Sequence, residues 1–124
     1  SWMPRQELLG KMNSCDVFFF TSLRDGGGNV VVEAMAVGKP IVCLDLAGPG
    51  FHVDSSCGIK VKAEVPNKTI EDIASALEKL YFDANLRSKL GEGARIKAKN
   101  NYSRDVLGDK LKNIFNEVIR NSEK

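Results

Sequence analysis

Two short apolar runs constrain this chain most. One is Val17-Phe18-Phe19-Phe20, entered from Asp16, and the other is Ile41-Val42-Cys43-Leu44. Continuous runs of this length, rich in β-branched and aromatic residues, predict strands buried on both faces. Between them stand three consecutive glycines, 26–28, and an almost wholly apolar stretch over residues 30–37. Gly38 and Pro40 close that stretch as helix stop signals. A strand, a tight turn, a helix and a second buried strand in succession predict a parallel sheet.

The rest of the chain extends this alternation. Residues 4–14 predict a helix, with Pro4 at its first position and Leu8, Leu9 and Met12 at helical spacing. Gly48-Pro49-Gly50 predicts a turn. Residues 58–62 alternate, with Lys60 and Lys62 on the wet side of a strand near the sheet edge. Thr69-Ile70-Glu71-Asp72 resembles a capping box. It predicts a helix with Ile73, Ala74, Leu77 and Leu80 on one face. A second helix is expected over residues 83–100. A third, capped by Ser103, is expected to turn Val106, Leu107, Leu111, Ile114, Phe115 and Val118 inward. The fold class is therefore α/β, a Rossmann-like parallel sheet flanked by helices. A doubly wound domain normally opens on a strand. This chain opens on a helix, so it reads as the second half of such a domain, with the first strands expected upstream.

Composition excludes several classes. The 124 residues fit one domain, and a net charge of +2 is too small for a nucleic-acid partner. No apolar run approaches the ~20 residues that span a bilayer, and no signal peptide is visible. Cys15, Cys43 and Cys57 are an odd set, each in or beside an apolar run, and read as small buried hydrophobes. His52 is the only histidine and there is no CxxC pair, which argues against a metal site.

The segment with chemical content runs from Ser22 to Ala36. In open α/β sheets ligands bind at the carboxyl ends of strands, glycines admit close backbone approach, and helix N-termini attract anions. Asn29 is the expected N-cap, with Val30 the first helical residue. Glu33 is the one charged residue in an otherwise apolar helix. Its carboxylate suits sugar or ribose hydroxyls across a polar cleft, or else an ion pair with a basic residue elsewhere. Asp25 lies eight residues earlier and is expected at the same cleft.

These residues resemble the signature of glycosyltransferase family 4 and its relatives, which have the two-domain GT-B fold. The matching positions are Asp25, Gly26, Gly28, Glu33, Ala34, Met35, Ala36, Gly38 and Pro40. The flanks Pro4-Arg5-Gln6-Glu7-Leu8, Cys15-Asp16-Val17-Phe18, Ala47-Gly48-Pro49-Gly50 and Tyr102-Ser103 agree, so the resemblance covers essentially the whole chain. It departs in having Asp25 where Glu is usual and no aromatic at Gly27.

The resemblance implies that residues 1–124 belong to the C-terminal nucleotide-sugar-binding domain of a GT-B enzyme, without that domain's first strands or the N-terminal acceptor domain. It implies a retaining transfer of a sugar from a nucleotide-diphosphate donor, UDP- or GDP-linked, to an acceptor hydroxyl. Asp25 and Glu33 take the catalytic positions. Gly26, Gly27, Gly28, Asn29, Val30 and Glu33 bind the donor, with Glu33 on the ribose, Asp25 near the sugar, and backbone N–H groups on the diphosphate. No metal or other cofactor is implied. The expected partners are the nucleotide-diphosphate sugar, a carbohydrate or glycolipid acceptor and the N-terminal domain. A cytoplasmic location, peripheral at the inner membrane face, is the family-level expectation.

Other readings stand beside this one. They are a stand-alone nucleotide-sugar or sugar-phosphate binding module, a sugar-nucleotide epimerase of the same fold, and a receiver-like domain. The last lacks the acidic cluster expected at the end of a first strand. His52 reads as a loop residue or as a general base at the cleft. Trp2 reads as sugar-stacking or as a packing residue. Arg24 and Lys39 read as solvated. Lys110, Lys112, Arg120 and Lys124 read as a solvated helix face or an anionic-membrane surface.

Overall fold

The computed structural model describes residues 3–122. Trp2 and Lys124 lie outside the described residues. The elements run α1 (Arg5–Ser14), β1 (Phe18–Phe20), α2 (Asn29–Ala36), β2 (Ile41–Leu44), α3 (Ala47–His52), β3 (Gly58–Val61), α4 (Pro66–Phe82), α5 (Ala84–Tyr102) and α6 (Arg104–Ser122). The three strands form one parallel sheet in the order β1-β2-β3.

β2 is buried at every position, as its unbroken apolar run predicts. Its residues alternate between two cores. Ile41 and Cys43 face a cluster with Val31, Ala34, Met35, Ala94 and Ala98. Val42 and Leu44 face a cluster with Val61, Ala76, Leu80 and Leu90. Helices thus cover both faces of the sheet. α1 and α2 lie on one side and α4 on the other, and α5 contributes to both. No helix among the described residues is long and apolar enough to cross a membrane.

Several expectations are corrected. β1 is not buried on both faces. Phe18 and Phe20 stack at 6.1 Å against the first core, but Phe19 is 45% exposed, and among the described residues β1 is an edge strand paired with β2 alone. Pro4 is the N-cap of α1 rather than its first residue. Residues 48–50 are not a turn but part of α3. Pro49 falls in its first turn, where a missing N–H removes no helical hydrogen bond. Thr69 does not cap α4. The helix begins earlier, at Pro66, whose fixed φ suits a first helical position. Thr69 Oγ1 instead donates to the Val65 and Lys62 carbonyls, and Asp72 pairs with Lys68. On α4, Ala74 is exposed, contrary to the expectation, and Ala76 is buried.

The largest correction concerns α6. Ser103 does cap it, accepting from Val106 N at 3.4 Å. Yet Leu107, Leu111, Ile114, Phe115 and Val118 are about half exposed or more, and the described residues of α6 bury none. Helical spacing identifies which face seeks cover. It does not say that this chain supplies the cover.

Candidate functional site

Because the strands are parallel, the connections leaving β1 and β2 emerge on one edge of the sheet. There the glycine loop after β1 meets α3. Gly28 has φ +64, a left-handed conformation that a side chain rarely adopts, and it, not Asn29, is the N-cap of α2. Asn29 is the first helical residue.

Asp25 sits behind this loop. Its Oδ1 accepts from Gly27 N at 3.1 Å and Gly28 N at 2.8 Å. Those two N–H groups therefore face Asp25 rather than the open edge. Asn29 and Val30 follow at the start of α2, where N–H groups have no intrahelical acceptor. Gly26, Gly27 and Asn29 are exposed, Asp25 and Val30 half-buried.

Glu33 lies one turn into α2, half-buried, with Oε1 3.2 Å from Arg5 Nη2 on α1. The structure thus gives Glu33 a basic partner. The Arg5 side chain is 74% exposed, and such a pair contributes at most about 1 kcal/mol. A ligand hydroxyl can replace it at little cost.

α3 closes the other side. Gly48 packs directly on the loop backbone, and an added Cβ would fall 2.5 Å from Gly27 C and 2.6 Å from Gly28 N. His52 Nε2 is 2.8 Å from Gly27 O and its Nδ1 is 2.9 Å from Tyr102 Oη. His52 is therefore helical rather than a loop residue, and both its nitrogens are engaged within the fold, which leaves none free to act as a general base. Lys60 joins β3 to the same edge, pairing with Asp45 at 3.0 Å and donating to Gly50 O.

Asp25, the glycines, Asn29 and Val30 lie together on the loop and the start of α2, and Glu33 lies one turn further along that helix; contrary to the expectation, the Gly27 and Gly28 N–H groups are taken up by Asp25. The edge adds Arg5, Gly48, His52 and Tyr102, whose partners lie far apart in sequence. Arg24 is exposed, but Lys39 is not simply solvated, since it donates to Asn13 O at 2.8 Å and ties α1 to the end of α2. Three clefts of about 440, 790 and 410 Å³ lie elsewhere, mainly along α4, and none is lined by residues 25–33. Among the described residues no group of three or more His, Cys, Asp or Glu side chains is placed to hold a metal ion.

Cys43 and Cys57 are buried, and burial pushes both thiols up, Cys43 to about 11. Cys15 is exposed, contrary to the expectation, with its thiol donating to Lys11 O.

Lys97 on α5 and Ser56 hold the Asp54 carboxyl well below its ordinary value of 3.8. A depressed carboxylate stabilises the fold fully above its unfolded pKa, and that stabilisation is lost as pH falls through 3.8 toward the folded value. Asp54→Asn is therefore expected to lower Tm near neutral pH, with the gap to the parent chain narrowing progressively as pH falls below 3.8. Melting both proteins across this range checks it, and a constant gap would discount the ion pair.

Comparison with known proteins bears on the family and the fold. The family model described as glycosyl transferases group 1 matches residues 1–97. The chain is 29% identical over 111 residues to the capsular polysaccharide biosynthesis glycosyltransferase CapM of Staphylococcus aureus, covering 90% of this chain and 28% of that protein. It is 31% identical over 116 residues to the D-inositol 3-phosphate glycosyltransferase of Corynebacterium jeikeium, covering 93% and 26%. The chain thus spans less than a third of the length of these relatives. Its fold matches WaaG, a glycosyltransferase of lipopolysaccharide biosynthesis, with TM-score 0.70 and 22% identity over 85% of this chain and 27% of that one. It matches the sucrose-phosphate synthase of Thermosynechococcus elongatus with TM-score 0.79 and 18% identity over 97% and 29%.

Proposed function

The chain belongs to the glycosyl transferases group 1 family, with a GT-B-type α/β fold, and from that premise we propose that it is the donor-binding portion of a retaining glycosyltransferase. The carrying observation is the glycine loop at the carboxyl edge of the sheet. It combines a helix N-terminus, a left-handed glycine and two carboxylates, Asp25 and Glu33.

The donor is a nucleotide-diphosphate sugar, UDP- or GDP-linked. Its diphosphate lies against the N–H groups of Asn29 and Val30, where the α2 dipole favours negative charge. Glu33 exchanges Arg5 for the ribose hydroxyls. Asp25 has a double task, holding the loop through Oδ1 and facing the sugar with its second oxygen. In the transfer, the bond from the anomeric carbon to the diphosphate breaks. The acceptor oxygen bonds to that carbon, its proton is released, and the nucleotide diphosphate leaves. The helix N-terminus stabilises the charge that develops on the leaving group.

The relative CapM is a glycosyltransferase of capsular polysaccharide biosynthesis, which supports a growing polysaccharide or glycolipid as acceptor. An acceptor domain and contact with the cytoplasmic face of the membrane belong to the same proposal.

NMR titration with UDP, GDP and ADP, each with and without an attached sugar, tests it. Shifts confined to residues 25–33 for one nucleotide are the expected result. Glu33→Ala is expected to weaken that nucleotide about tenfold or more, as loss of a charged hydrogen-bond acceptor does. Asp25→Asn, which keeps an acceptor oxygen for the loop, is expected to weaken it less. Equal, negligible effects from Glu33→Ala and Asp25→Ala would overturn the assignment of these carboxylates.

A further inference from the structure

The Gly27–Gly28 peptide unit is held at both ends. Its carbonyl oxygen, that of Gly27, meets His52 Nε2 at 2.8 Å, and its N–H, that of Gly28, meets Asp25 Oδ1 at 2.8 Å. A carbonyl only accepts, so Nε2 must carry a proton. The other ring nitrogen, Nδ1, is hydrogen-bonded to the Tyr102 hydroxyl across 2.9 Å, a group that both donates and accepts. Burial pushes the Tyr102 phenol above its ordinary value of 10.0, so it keeps its proton near neutrality. The two rings meet edge to face at 5.0 Å, which fixes the imidazole plane. Tyr102 ends α5, a helix seated in the core through Leu90, Ala94 and Ala98.

The geometry points to His52 as the positioning residue of the glycine loop. With Tyr102 behind it, His52 locks the Gly27–Gly28 peptide plane so that Gly28 takes its left-handed turn and the first N–H groups of α2 open toward the ligand. The functional part rests on the donor-site reading above. The lock itself does not. Rotation of that peptide plane would break the Gly28 N–Asp25 and Gly27 O–His52 bonds together and alter the entry into α2. The rigid core of α5 thereby sets the geometry of an otherwise exposed loop. Neither residue touches the ligand.

Nitrogen-15 NMR of this chain tests the lock without any ligand. Nε2 is expected to resonate as a protonated ring nitrogen. His52→Leu removes the donor to Gly27, Tyr102→Phe removes only the hydroxyl, and His52→Gln keeps an N–H for the carbonyl. His52→Leu is expected to speed hydrogen exchange at Gly27 and Gly28 about tenfold, the effect of losing one such hydrogen bond. Tyr102→Phe is expected to act in the same direction but less, and His52→Gln to stay near the parent. Amides of Val42 and Leu80 report the core and are expected to hold their shifts. Nucleotide affinity is expected to follow the same order as loop exchange.

Loop amides unchanged in both His52→Leu and Tyr102→Phe, or Nε2 found unprotonated, would overturn the lock. Loop amides that respond to the variants while no nucleotide shifts them would support the lock and count against the donor-site reading. The two failures are thus distinguishable.

Discussion

On the proposed donor-site reading, Gly48→Ala is expected to lower nucleotide affinity by about 100-fold, the scale of a misplacement of roughly 1 Å at a binding loop. The missing Cβ of Gly48 points into the backbone of the glycine loop. A methyl there would lie 2.5 Å from Gly27 C, 2.6 Å from Gly28 N and 2.8 Å from Gly26 O. All three are backbone atoms, so no side chain can rotate away. The interlock is mutual, since a Cβ on Gly28 would fall 2.9 Å from Gly48 C and from Pro49 N. Alanine at residue 48 must therefore drive the loop away from α3 and pull Gly27 O off His52. Gly26 supplies the control. Nothing lies within 4 Å of its missing Cβ, so Gly26→Ala leaves the loop in place, and any binding it loses measures the approach of the ligand itself. Calorimetric titration of both variants decides the point. A Gly48→Ala protein that binds nucleotide like its parent would show that the glycine loop does not touch the donor.

The sequence makes the framework of this site readable but not its couplings. β2 is legible because a central strand buried on both faces leaves an unbroken apolar run. Glu33 is legible because a charge in an otherwise apolar helix needs a reason. The glycines mark where backbone must approach something. What they approach is not encoded locally. Gly48 reads as a turn beside Pro49 until Gly27 is seen against it. The His52–Tyr102 bond spans fifty residues, and neither residue type demands it. The one-residue shift of the α2 cap has a similar origin. Asn29 has the better capping side chain, but the Asp25 carboxylate and the left-handed Gly28 already close the loop. Periodicity on α6 marks an apolar face correctly, whereas burial depends on what else is present.

Gly93→Ala is expected to destabilise the chain by about 3 kcal/mol, at the upper end for inserting one carbon into a close-packed contact. α5 crosses two loops at positions without a Cβ. A methyl on Gly91 would overlap the Gly38 carbonyl oxygen, and one on Gly93 would overlap that of Ser56 still more severely. The Ser56 loop cannot easily retreat. Asp54 ties it to Lys97 on α5, and Cys57, next in sequence, is fully buried and hands its carbonyl to Ile41 N on β2. Relief therefore requires α5 to lift from the sheet, which unseats Leu90, Ala94 and Ala98 together. Gly10 provides the contrast. It sits in α1 with nothing within 4 Å of its missing Cβ, so Gly10→Ala is expected to stabilise by about 0.5–1 kcal/mol through helix propensity alone. Urea unfolding of both variants gives the comparison. A fall in midpoint for Gly93→Ala beside a rise for Gly10→Ala would separate the steric demand of α5 from the general cost of glycine in a helix. Because α5 also carries Tyr102, loosening it is expected to reach the glycine loop, and Gly28 exchange should quicken in Gly93→Ala even where the fold survives.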